Sequence, residues 1–188
     1  MVNRATRLID KEKGSEMTHQ QMCQTFFKSR KTLILSTQSK EGIIETSVAP
    51  FVFADGVFYI YISELAKHTQ NLIQQLHSFD VKPGLNDNLS QVSGLLLSDE
   101  AQTEQLFARE RITLQLNVSE VSKESKRYQT IVSLFSKEFG EVVTMLKSLP
   151  DFHMFALRTI KGGYVRGFGQ AFAFNDCPCQ QLAPITKN

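Results

Sequence analysis

Apolar and polar positions alternate through most of this chain, and the period becomes helical in three stretches. The alternation is clearest from Arg111 to Val121, where Ile112, Leu114, Leu116 and Val118 fall on one face of a strand. Thr32–Thr37, Ile43–Phe53, Val57–Ile62 and Gln91–Leu97 read the same way, and so do Phe152–Ile160 and Tyr164–Phe174. Turn chemistry separates them: Ser39-Lys40-Glu41-Gly42, the hairpin Ala54-Asp55-Gly56, and Lys161-Gly162-Gly163. Pro50 marks a bulge, a strand end or an edge. Helical spacing covers Thr18–Lys28, with Thr18 as cap and Met22, Phe26 and Phe27 toward a core, then Ala66–Leu76, then Lys123–Leu149 with a break at Gly140. Glu100–Phe107 reads as a helical turn or loop.

About six or seven short strands joined by hairpins, with few helices, predict a small antiparallel β-barrel with helical decoration. Tight turns argue against a parallel sheet. The expected organisation is a flexible tail over 1–17, one barrel domain over 18–175, and a loose tail over 176–188. Pro83, Gly84 and two Asn suggest an irregular insertion over 73–88.

The chain has 188 residues, enough for one self-supporting core. A net charge of +2, with basic residues scattered, argues against a nucleic-acid groove. No apolar run has the length of a membrane span, and Met1 to Glu16 lacks the apolar centre of a secretory signal. The three cysteines, Cys23, Cys177 and Cys179, do not read as a disulfide framework and suit a reducing cytoplasm.

The candidate chemistry gathers where Val57–Ile62 ends. Ser63 is followed by a helix carrying Lys67 and His68 in its first turn. Helix N-termini offer unpaired N–H groups and a favourable dipole, so this junction reads either as a phosphate or carboxylate site or as a solvated helix start. No Walker or Rossmann glycine pattern is present, and no nucleophile–base pair argues for hydrolysis. Cys177-Pro178-Cys179 can offer a thiolate to ferric heme or a soft metal; the alternative is a pair of reduced thiols on a loose end. His153 reads as a surface or dimer-contact residue facing away from Phe152 and Phe155. Phe51, Phe53, Phe58, Phe168, Phe172 and Phe174 read as barrel core.

Several blocks in one order carry a resemblance: Arg30-Lys31-Thr32-Leu33, Ala49-Pro50-Phe51-Val52, Ile62-Ser63 with Ala66-Lys67-His68 and Asn71-Leu72, Leu106 to Thr113, Phe139-Gly140-Glu141, Asp151-Phe152 and Gly167 to Ala171. Together they resemble the heme-utilisation split-barrel proteins of the HugZ/HutZ type, within the pyridoxamine-5'-phosphate-oxidase-like, FMN-binding split-barrel superfamily. The likeness spans roughly Phe27 to Phe174. It implies a homodimeric antiparallel split barrel with a ligand cleft between subunits. In flavin-binding relatives the positions of Lys67 and His68 grip the FMN phosphate. In heme-handling members a histidine of the C-terminal segment ligates iron and a carboxylate of the other subunit, at the place of Asp151, orients it. Arg111 matches an arginine near the heme.

One departure bears on function. The chain's four histidines are His19, His68, His77 and His153, so the tail holds none. Without it Asp151 has no imidazole to orient. The readings left are oxygen-dependent heme breakdown with an external electron donor, an FMN-dependent oxidoreductase or flavin reductase, and a non-catalytic heme or flavin carrier. The expected cofactor is heme or FMN. The site is expected to use Ser63, Lys67, His68, Arg111 and Asp151, with Cys177 as a substitute iron ligand.

Overall fold

The computed structural model describes residues 17–78 and 91–186. Helix α1 (His19–Ser29) starts at a capping box: Thr18 Oγ1 accepts from the Gln21 N–H, and the Gln21 side chain accepts from the Thr18 N–H. Strand β1 (Thr32–Gln38) turns at Gly42, where φ is 85°, into β2 (Ile44–Ala54). Asp55 and Gly56, both with positive φ, return the chain as β3 (Val57–Ser63). Helix α2 (Lys67–Ser78) follows, then β4 (Gln91–Leu97), two short 3₁₀ turns and β5 (Arg111–Glu120). Helices α3 (Lys126–Phe139) and α4 (Val142–Ser148) meet at Gly140, with φ 78°. Strands β6 (Phe152–Gly167), β7 (Gln170–Asn175) and the short β8 (Ala183–Pro184) complete the chain.

All pairings are antiparallel, in the order β3-β2-β1-β4-β5-β6-β7-β8, and the β3–β6 pairing closes the first six strands into a barrel. Ile112, Leu114, Leu116 and Val118 do point inward together and are buried. Every residue from Val57 to Ile62 is buried because β3 is covered on both sides. Phe58, Ile60 and Ile62 enter the barrel, while Val57, Tyr59 and Tyr61 pack under Tyr128, Ile131, Val132 and Phe135 of α3. Helix α1 covers one barrel end through Phe27, edge-on to Phe53 and Phe58.

Several expectations change. Lys161-Gly162-Gly163 is not a turn: β6 runs straight through it, and the chain reverses at Gly169 with φ 69°. A Cβ at Gly162 would lie 2.4 Å from both the Phe174 ring and the Thr113 carbonyl, so glycine marks a close approach here. Helix α2, expected to end at Leu76, runs to Ser78 and so takes up the start of the span 73–88 expected as an insertion; residues 79–88 of that span lie outside the described residues, as does the tail over 1–16. Phe168, expected in the core, is 70% exposed beside the β6–β7 turn. The segment after Asn175 is held in place: Cys179 is fully buried in a disulfide with Cys23, and β8 pairs with β7. That bond overturns the reading of three reduced thiols and removes the cysteine argument for a reducing compartment. Among the described residues no helix is long and apolar enough to cross a membrane.

Candidate functional site

Ser63, the last residue of β3, turns back onto the start of β6. Its Oγ donates to Asp151 Oδ2 at 2.5 Å and accepts the Leu65 N–H at 3.1 Å, while the Glu64 N–H reaches the Asp151 carbonyl. The serine expected to hold an anion is thus occupied in joining β3 to β6. Next to it His153 lies between two carboxylates, with Nδ1 2.6 Å from Glu120 and Nε2 2.5 Å from Glu64. Partial burial lowers its pKa, but the bonds and charges of Glu120 and Glu64 outweigh that and the net shift is upward. The alternation puts His153 on the same side as Phe155, with which it stacks, and opposite Phe152 only. Its partners come from the residue after β3 and from the end of β5, which no local sequence signal brings together.

Lys67 and His68 diverge. Lys67 is exposed in the first turn of α2. His68 turns inward onto β2, where Nδ1 meets Ser47 Oγ at 2.5 Å and only 8% of the residue stays exposed. Burial pushes its pKa down, against a smaller upward pull from Glu45. Its Nε2, and Oγ1 of the adjacent Thr69, are buried with no partner among the described residues. Asn71, one turn on, donates to Thr37 and Glu45, so α2 is bolted to the β1–β2 hairpin by polar contacts.

Arg111 opens β5, and its guanidinium donates to the Arg109 carbonyl; no ion pair with Glu110 or Asp99 forms. Asp151 and Ser63 lie at the other end of the same strands, because Glu120 pairs with Phe155 and Ser63 with Phe152. The length of β5 separates them, about 30 Å at the rise of an extended strand. One subunit therefore does not bring Arg111 and Asp151 together. Cys177, the expected substitute iron ligand, is a free, partly exposed thiol whose pKa burial raises, which disfavours thiolate.

Between these ends the outer face of β1, β4 and β5 is uncovered, together with the parts of β2 around Thr46 and of β6 around Lys161. It forms a depression of about 570 Å³ lined by Ile34, Ser36, Thr46, Leu95, Thr113 and Lys161 among others. Ile44 and Val48 on β2 are 64% and 57% exposed. The opposite side of the barrel carries α3, so the two outer faces are treated differently.

No family model matches the chain. Heme oxygenase HutZ of Vibrio cholerae is 35% identical over 147 residues, which cover 78% of this chain and 76% of that protein. The chain belongs to the HutZ family. The crystal structure of HutZ, described as the heme storage protein of Vibrio cholerae, superposes with a TM-score of 0.61 at 31% identity over 81% of this chain and 91% of HutZ. Campylobacter jejuni ChuZ superposes at 0.70 with 27% identity over 86% of this chain and 60% of ChuZ. A general stress protein 26 relative of the pyridoxine-phosphate oxidase family from Clostridium acetobutylicum, 10% identical with a TM-score of 0.54, shares the fold. The split barrel expected from the motif blocks is the fold of this HutZ-family chain.

Proposed function

We propose that this HutZ-family chain binds heme in a cleft made when two copies pack open face to open face. The observation that carries the reading is the uncovered outer face centred on β1, β4 and β5, with Arg111 at one end of β5 and Asp151 beyond the other. A two-fold axis running across the strands between such faces would set the Arg111 end of one subunit against the Asp151 end of the other. The relative's two descriptions, an oxygenase and a heme storage protein, agree on heme.

The residues present fit a flat dicarboxylate: apolar side chains for the ring, and Arg111 and Lys161 for its carboxylates. Heme iron would find no uncommitted ligand in His68, His153 or Asp151. His68 is buried against Ser47, both nitrogens of His153 are held by carboxylates, and Asp151 already accepts the Ser63 hydroxyl. When bound, heme supplies an iron that takes up dioxygen and a ring open to oxidation, given an external electron donor. The chain's own contribution is to hold the ring, neutralise its carboxylates and keep water from its faces.

Flavin binding is the second reading, favoured by Lys67, exposed at the N-terminus of α2. Absorption titration separates the two. A Soret band that saturates on adding hemin, and weakens in Arg111→Ala, supports heme. Paired flavin bands on adding FMN, with no Soret change for hemin, reverse the assignment.

A further inference from the structure

A second cavity, of about 570 Å³, sits where α1, the end of β2, α3 and the C-terminal segment meet, and it shares no lining residue with the open face. Its volume is that of a ligand pocket. The floor is aromatic. Phe27 and Phe53 stand edge-on at 4.9 Å, both only partly buried, with Phe51 beside them. The rim is cationic. Lys28 and Lys137 are exposed and carry no carboxylate partner among the described residues. Lys31 is held by Glu138 at 2.5 Å, and Arg30 is committed to the Leu97 carbonyl and the Phe26 ring. Glu138 is the one acidic lining residue against four basic ones.

The remaining wall is the segment from Cys177 to Gln180, and it does not stand there by packing alone. The Cys23–Cys179 disulfide ties it to α1, and positive φ at Asp176, Cys179 and Gln181 curls it over the cavity. Cys177, the one free thiol of the chain's three cysteines, lines the same space. Aromatic floor, unpaired cations at the mouth and a covalently fixed wall together select a small, flat ligand with one anionic end.

We infer that this cavity is a binding site for a flat apolar anion of the aryl carboxylate or sulfonate class. The rings of Phe27 and Phe53 take the apolar body, and Lys28 and Lys137 take the charge. The inference does not rest on heme binding, since neither the open face nor Arg111 takes part.

The test uses the full-length protein and two probes of matching shape, 8-anilino-1-naphthalenesulfonate and neutral N-phenyl-1-naphthylamine. Saturating sulfonate probe should slow alkylation of Cys177 by N-ethylmaleimide about tenfold, because Cys177 lines the occupied cavity. Lys28→Gln with Lys137→Gln should weaken the sulfonate about tenfold, which is about 1.4 kcal/mol, and leave the neutral probe within about twofold. Both lysines are exposed, so the double variant keeps its fold; far-ultraviolet circular dichroism checks this. Sulfonate fluorescence without protection of Cys177 places the probe elsewhere and overturns the site. Equal binding of both probes, unmoved by the lysine changes, overturns its anion selectivity and with it the inference.

Discussion

Two histidines respond to pH in opposite senses. His153 has its pKa raised in the folded protein by Glu64 and Glu120. Its stabilisation is therefore complete below the unfolded histidine value, about 6.5, and is lost as pH rises through the folded value. His68 has its pKa lowered by burial. The folded state then resists its protonation, and the stability it contributes is present above about 6.5 and lost as pH falls. Urea midpoints across pH 5 to 9 should show His153→Gln losing most stability at the acidic end and nothing at the alkaline end. His68→Leu should flatten the acidic fall; an unchanged acidic slope would mean the imidazole is already solvated. Gly162→Ala should destabilise by about 1–3 kcal/mol or more, since the added methyl meets backbone as well as the Phe174 ring. Normal stability in that variant would mean that β6 and β7 part easily at this point.

At the scale of elements, the disulfide is the strongest single tie between distant parts of the chain. It joins α1 to the C-terminal segment across a sequence separation of 156. Closing so long a loop limits the unfolded chain, and removing such a bond costs about 2–5 kcal/mol. Cys179→Ser, or reduction of the wild type, should lower the urea midpoint accordingly and free β8 from β7. Hydrogen exchange at the Ile185 N–H, which donates to the Ala171 carbonyl, reports that release directly. Identical midpoints with and without reductant would remove the bond from the account. Helices α3 and α4 need no such tie. The apolar face of α3 is buried on β3, and Arg127 anchors its first turn to Asp55 and Tyr59.

At the scale of the whole molecule, the proposed cleft needs two copies. Sedimentation should give a dimer at micromolar concentration, and charged residues placed at both Ile44 and Val48 should give a monomer that no longer shows a saturable Soret change. Mixing offers a sharper test. Arg111→Ala and Asp151→Asn proteins should each bind hemin poorly. If the two residues serve one cleft from different subunits, an exchanged equal mixture should regain about a quarter of the sites. No recovery on mixing, with subunit exchange demonstrated, would place both residues in the service of a single chain.

Much of the barrel was legible locally. Strand alternation, a capping threonine, Asp55-Gly56 and Gly140 depend on side-chain period and backbone freedom, which the chain carries residue by residue. The motif blocks carried the family as well. What the order of residues did not determine is which distant groups meet. Gly162 looks like turn chemistry until Phe174 is laid across it, and His153 has no partners until β3 and β5 flank β6. Cys179 lacks a mate until α1 closes the barrel end, and His68 points at a ligand only until α2 docks on β2. Each of these outcomes is a long-range contact, and only closure of the sheet chooses among the partners a side chain's chemistry permits.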